Sequence, residues 1–323
     1  MRLPQTSRAA GALAAALALL LAGCGSSADS ARQDPAPSQA RTASAAPDSR
    51  ERLRVDGRTR TYLLHRPAAS AASGGRPPLI VAFHGRGSSA EELREQSRLT
   101  ADARARGMLI AFPEGLREGW GAGTRPTRER PDPDADVRFT EALVEHLVRT
   151  ERADPGRVYA VGFSNGGSMA LRAAADRPGL LAGAASVSGQ LPSGSAAVEP
   201  TGRVPVMVVY GEDDPVRPLG GWPSPPSGPG EPITPTRSAR ESAEAFARAG
   251  GAGEPVTRAE RGYDRTVWRL PDGGGEVRLL VVHDAGHTWP GSSLTPPKGF
   301  GPTSRALDAT RTILDFFTRA PGR

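Results

Sequence analysis

The stretch VYAVGFSNGGSMA, residues 158–170, sets Ser164 between Gly162 and Gly166 directly after an apolar run. A serine carried on a sharp strand-to-helix turn needs neighbours without a Cβ, because side chains there collide with backbone, and the spacing G-x-S-x-G meets that need. Its hydroxyl becomes a nucleophile only when a base takes its proton and a third group orients the base. The chain holds 39 glycines, so the five-residue pattern decides little without partners elsewhere. Among five histidines, His65 falls in an N-terminal hairpin, His146 in a mid-chain helix, His84 ahead of a glycine turn and His283 within a strand. His287 follows Ala285-Gly286 beyond a strand end, where an imidazole can reach over a serine, and it is the candidate base. For the carboxylate, Glu212, Asp213 and Asp214 compete in the loop after VPVMVVYG. Asp214 is favoured, since Pro215 biases it toward extended backbone and sets the loop direction, and Asp213 is its main rival.

Ester cleavage by such a serine also builds negative charge on the carbonyl oxygen, which backbone N–H groups must meet. The N–H of Asn165, at the start of the next helix, and that of Arg86 in HGRG are the expected donors. The alternative for HGRG is an ordinary glycine turn, and the Arg86 side chain either attracts an anionic substrate or lies in solvent. The proline- and glycine-rich segment 216–237 is expected to arch over the pocket as a rim. Within it Trp222, together with Trp120 in EGWGAG and Trp289 beside the candidate base, is a candidate substrate-binding wall, the alternative being that each packs its own loop. Trp268 is assigned to the core. Neither Cys/His ligand spacing nor a phosphate-binding glycine loop occurs, so no metal and no cofactor is expected.

The elements that must position these groups alternate. RLRVDGRTRTYLLHRP carries an Asp56-Gly57 turn between extended segments, the signal of a β-hairpin. PLIVAFHG and MLIAFPEG are short apolar runs separated by a charged helical stretch near 90–106, as buried parallel strands read. A helix follows in DVRFTEALVEHLVRTE, with Val137, Phe139, Ala142, Leu143 and Val148 on an inner face. Strands are then expected at RVYAVGFS, GAASVSG, VPVMVVYG and VRLLVVHD, and a last helix at ALDATRTILDFFTR. This alternation predicts one α/β domain with a mostly parallel central sheet and helices on both faces. Chemistry in such sheets gathers at the carboxyl ends of the strands, where HGRG, GFSNGG, YGEDDPV and HDAGHTWPG fall. The order serine, acid, histidine is that of the α/β-hydrolase fold.

At the N-terminus, Arg2 and Arg8 precede an apolar run from Ala9 to Ala22 that ends in Leu21-Ala22-Gly23-Cys24. The layout is that of a secretory signal, too short for a comfortable membrane span. The ending resembles a bacterial lipobox, with Cys24 as the lipidated residue; a plain signal peptide or an uncleaved anchor helix is the alternative. Residues 1–23 are expected as the signal peptide, 24–50 as lipidated cysteine and tether, and 51–323 as the catalytic domain, held outside the cell on the membrane's outer face. Cys24 is the only cysteine, which leaves none for a disulfide. A net charge of +6 raises nucleic acid as a partner, but the arginines are interspersed with acids and no basic motif with interleaved aromatics occurs, so none is expected.

Taken together, PLIVAFHGRGSS, FPEG, DVRF, RVYAVGFSNGGSMA, YGEDDPV and AGHTWPG resemble the polyhydroxybutyrate depolymerase and feruloyl esterase family of secreted α/β-hydrolases, including its lipoprotein members. The likeness runs from the first hairpin to the closing helix. It implies Ser164 as nucleophile, Asp214 as acid, His287 as base, and backbone donors at Arg86 and Asn165. Arg86 stands where many relatives have cysteine, and no polymer-binding module is expected after the domain; both argue against crystalline polyester as substrate. The expected substrate is an ester, a hydroxyalkanoate oligomer or an acylated sugar. The competing functions are acyl transfer to envelope sugars with the same triad and a non-catalytic binding lipoprotein.

Overall fold

The computed structural model describes residues 48–67, 75–225 and 233–322. The expected signal peptide, Cys24 and most of the expected tether lie outside the described residues. The described residues fall in one unit built on a ten-stranded sheet. Its first hairpin pairs β1 (Asp48–Val55) with β2 (Arg58–His65). The turn between them is Asp56-Gly57, both at positive φ (49° and 76°), which suits the right-handed twist of a two-residue hairpin. The strand begins at Asp48 rather than at the expected domain start, Glu51.

Six strands then run parallel: β3 (Leu79–Phe83), β4 (Leu109–Pro113), β5 (Val158–Phe163), β6 (Gly183–Val187), β7 (Val206–Gly211) and β10 (Glu276–Val282). The remaining two, β8 (Val256–Glu260) and β9 (Tyr263–Arg269), form an antiparallel edge hairpin that the sequence pattern does not announce. Four of the five β8 residues are exposed, so this strand lacks the apolar alternation that marks a half-buried one. The strand order is β1-β2-β4-β3-β5-β6-β7-β10-β9-β8. The mostly parallel sheet expected of an α/β-hydrolase is what the chain forms.

Each parallel strand feeds alternate side chains to two cores. From β5, Val158 and Ala160 join one and Tyr159, Val161 and Phe163 the other. Helices α3 (Ala135–Thr150), α4 (Asn165–Asp176) and α5 (Ala239–Ala249) cover the first face. Helices α1 (Ala90–Ser97), α2 (Leu99–Ala105) and α6 (Ala309–Arg319) cover the second. The charged stretch near 90–106 is thus two helices, broken where Arg98 turns left-handed at φ 55°. Its start is set by a capping box, in which Ser89 and Glu92 each bond the other's backbone N–H. On α3 the buried face is Val137, Phe139, Thr140, Leu143, Val144 and Leu147, while Ala142 and Val148 are only half-buried. No helix among the described residues is long and apolar enough to cross a membrane.

Register brings the functional loops to one edge. Phe83 pairs with Gly162, Phe163 with Val187, Val187 with Val209, and Gly211 with Val282. The loops beginning at 84, 164, 212 and 283 therefore leave the sheet side by side.

Candidate active site

Ser164 sits between β5 and α4 with φ 54° and ψ −118°, a backbone state costly for a residue with a Cβ and one that persists only when its surroundings impose it. The imposition is steric. A Cβ on Gly162 would run into the Gly166 carbonyl, and one on Gly166 would run into the carbonyl oxygens of Phe83 and His84. The two glycines let strand and helix close on the serine, and Ser164 N–H donates to Val187 O at 2.8 Å.

His287 is almost fully buried, with Nε2 2.8 Å from Ser164 Oγ and Nδ1 2.7 Å from Asp214 Oδ2. An ionised carboxylate only accepts, so Nδ1 carries the proton and, in the neutral ring, Nε2 accepts from the serine hydroxyl. The loop bearing His287 is pinned from behind: Gly286 N–H donates to Pro302 O at 2.9 Å and His287 N–H to Phe300 O at 2.6 Å. Rings of Phe163 and Phe300 stand 5.0 and 5.3 Å from the imidazole. Phe300 was not singled out from sequence; the flanking Gly299 and Gly301, both at positive φ, are the one local hint of a tight loop there.

Of the three acids, only Asp214 is buried; Glu212 and Asp213 are exposed. Its second oxygen, Oδ1, accepts from the N–H groups of Val216 and Arg217 at 2.9 and 2.8 Å. That locks the carboxylate plane and leaves Oδ2 for the imidazole. Asp213 contributes its backbone instead, its N–H donating to Ala285 O at 3.0 Å and tying the acid loop to the histidine loop.

The backbone N–H groups of Arg86 and Asn165 have no hydrogen-bond partner among the described residues. The Asn165 side chain grips the loop opposite, accepting from Trp120 N–H at 2.7 Å and donating to Trp120 O at 3.1 Å. His84 supports the Arg86 turn: its Nδ1 donates to Gly85 O at 2.7 Å and its Nε2 accepts from Gly115 N–H at 2.9 Å. Burial holds the His84 pKa below the ordinary imidazole value, consistent with a neutral structural ring.

Ser164 and His287 open on a cavity of about 1220 Å³ that all three candidate tryptophans border. Two of them also pack into their own loops. Trp120 is 3% and Trp289 1% exposed, because each indole N–H is tied inward, to His84 O at 2.9 Å and to Thr310 Oγ1 at 3.0 Å. Trp222 alone is half-buried, on a rim where it pairs with Thr236. Trp268 is in the core.

The far wall of the cavity, the segment between Leu116 and α3, is held by an arginine that sequence reasoning missed. Arg172, fully buried on α4, donates to the carbonyls of Gly121, Gly123 and Pro133 at 2.8, 2.6 and 2.7 Å, and pairs with Asp134 and Asp176. Nothing in its helical context distinguishes it from the chain's many solvent-facing arginines.

A strand–serine–helix turn, a following acid loop and a histidine loop, all at the carboxyl edge of a mostly parallel sheet, define an α/β-hydrolase. The Phospholipase/Carboxylesterase family pattern matches residues 128–221. The chain is 47% identical over 276 residues to a putative esterase, NocK, of Nocardia uniformis subsp. tsuyamanensis, covering 81% of this chain and 80% of that one. It is 28% identical over 218 residues to feruloyl esterase B of Piromyces equi, over 65% of this chain and 39% of that protein. In fold it is similar to an acetyl xylan esterase of Aspergillus awamori, with a TM-score of 0.56 at 16% identity over 84% of this chain and all of that one. The chain belongs to an esterase family of α/β-hydrolases, and carboxylesterase-type hydrolysis is its class of activity.

Proposed function

We propose that the chain is a serine carboxylic-ester hydrolase working through an acyl-enzyme on Ser164. The observation that carries the reading is the unbroken line of hydrogen bonds from Asp214 Oδ2 through His287 to Ser164 Oγ, at 2.7 and 2.8 Å, opening on a cavity. Ser164 Oγ bonds to the ester carbonyl carbon as its proton passes to His287 Nε2. The developing oxyanion lies against the free N–H groups of Arg86 and Asn165. Collapse breaks the carbon–oxygen bond to the alcohol, which leaves with the Nε2 proton. Water then gives a proton to Nε2, attacks the acyl-serine, and releases the acid as Ser164 regains its proton. Asp214 keeps the imidazole in the productive tautomer throughout and offsets its charge. Side chains, backbone and water supply every group these steps use.

The substrates we assign are short hydroxyalkanoate oligomers or acylated, including feruloylated, sugars, in the manner of polyhydroxybutyrate depolymerases and feruloyl esterases. The feruloyl esterase relatives support this, as does a cavity larger than the roughly 300–1,000 Å³ usual for small ligands. We place the enzyme on the outer face of the membrane, anchored by lipid on Cys24, on the strength of the charged-then-apolar leader that ends at that residue. The full chain in detergent should hydrolyse p-nitrophenyl esters and at least one of 3-hydroxybutyrate oligomers, feruloyl sugars and acetyl sugars, and Ser164→Ala should remove both activities. Turnover of p-nitrophenyl esters alone would overturn the substrate assignment, and an unchanged Ser164→Ala rate would overturn the mechanism. Membrane retention that survives Cys24→Ser would count against the lipid anchor.

A further inference from the structure

The chain as a whole is nearly balanced, with 41 basic and 35 acidic residues. Its cavity is not: among the described residues Arg86, Arg125, Arg128, Arg130 and Arg217 border it against a single acid, Glu92. Glu92 is also engaged, its Oε2 accepting from Ser89 N–H in the capping box. Arg130 is similarly spoken for, donating to Leu116 O and lying within reach of Glu129 and Asp136.

The other four have no carboxylate within ion-pair distance among the described residues. Arg125 reaches only Ser195 Oγ, at 3.3 Å, and Arg217 donates to Ser168 Oγ at 3.0 Å. Burial disfavours the charge on Arg217, Tyr210 and Asp214 partly offset that, and Arg86 lies close enough to add repulsion. A desolvated guanidinium left without an anion is costly where a paired one is not. Arg217 and the exposed Arg86, with Arg125 and Arg128 also exposed along the same cavity, make a field that draws in and holds negative charge.

We infer that this site takes esters that carry a carboxylate, bound between Arg86 and Arg217 and steered inward by Arg125 and Arg128. A guanidinium presents parallel donors that match the two carboxylate oxygens, which a neutral ester end cannot use. The inference rests on the esterase reading and narrows it to one substrate class.

The test compares matched pairs with the full chain: mono-p-nitrophenyl glutarate against p-nitrophenyl pentanoate, which differ in the acyl end, and 3-butanoyloxybutyrate against its amide, which differ in the alcohol end. The anionic member of at least one pair should have the higher kcat/KM, by about tenfold at low salt. That advantage should shrink as salt rises from about 0.01 to about 0.15 M, where screening shortens to about 8 Å. Arg86→Gln keeps the backbone N–H and should lower the anionic-to-neutral ratio severalfold. The double variant Arg125→Gln, Arg128→Gln, both exposed, should lower it too and flatten its salt dependence. A ratio of one or less in both pairs, with the neutral esters turned over, overturns the inference and leaves the esterase reading standing. No turnover of any ester overturns the reading and takes the inference with it.

Discussion

Asp214→Asn is the substitution whose outcome the geometry specifies most closely. An asparagine has one accepting end and one donating end where the carboxylate has two acceptors. The Oδ1 position receives two N–H groups, from Val216 and Arg217, at 2.9 and 2.8 Å. Turning the amide so that its nitrogen faces them would strand both donors at about 1–3 kcal/mol each. The oxygen therefore stays there, by a factor of at least about thirty, and the nitrogen faces His287 Nδ1. Nδ1 must then accept, which moves the imidazole proton to Nε2, where it points at Ser164 Oγ and cannot receive another. Wrong-tautomer triads of this kind lose about 10⁴ in kcat, equivalent to about 5 kcal/mol of barrier. Asp213→Asn and Glu212→Gln change exposed side chains whose backbone N–H groups alone are engaged, to Ala285 O and Val282 O. Those two should stay within about twofold of the unsubstituted enzyme. The assay is steady-state hydrolysis of p-nitrophenyl butyrate in mild base, with circular dichroism to confirm folding. A folded Asp214→Asn enzyme that retains most of its kcat, or an Asp213→Asn enzyme that loses more, would refute the reasoning.

Gly166→Ala should lower the thermal midpoint by at least about 5 °C, because the new Cβ meets backbone on β3 that cannot yield; Gly179→Ala, with open space around it, is the control and should change little. Arg172→Met should cost about 3–5 kcal/mol in denaturant unfolding and raise amide exchange in the segment 121–134, since three carbonyls and Asp134 lose their buried donor. Burial raises the phenol pKa of Tyr159 and Tyr210, and pushes that of Tyr62 up to about 12. Below the unfolded value of about 10 both states hold these protons; above it the unfolded state releases them first, so stability falls as pH rises from about 10 toward 12. Phenolate absorbance from these residues should appear together with loss of circular dichroism, and separate, earlier titration would contradict their burial.

The parallel core and the serine turn were legible because their signals are local and strong: continuous apolar runs for strands buried on both faces, and glycines where a Cβ cannot fit. The choice among Glu212, Asp213 and Asp214 rested on a weaker cue, the proline that follows, whereas in the structure burial and two backbone donors separate Asp214 from its neighbours. The β8–β9 hairpin was hidden because edge strands face water and here carry arginine and glutamate instead of an apolar alternation. The inward tethering of Trp120 and Trp289 was not legible, since sequence shows an indole near a loop but not where its N–H finds an acceptor. Arg172 and Phe300 act through contacts across 38 to 51 residues for the first and onto the histidine loop for the second, which no local pattern encodes.

The central claim is that Ser164 is an activated nucleophile, and covalent labelling tests it with least dependence on substrate. The full chain treated with a fluorophosphonate and digested should yield one modified peptide, carrying the phosphonyl group on Ser164. The adduct should be absent after Ser164→Ala and form far more slowly after Asp214→Asn. A folded chain that takes no label, or takes it at another residue while Ser164 stays unmodified, would contradict the account.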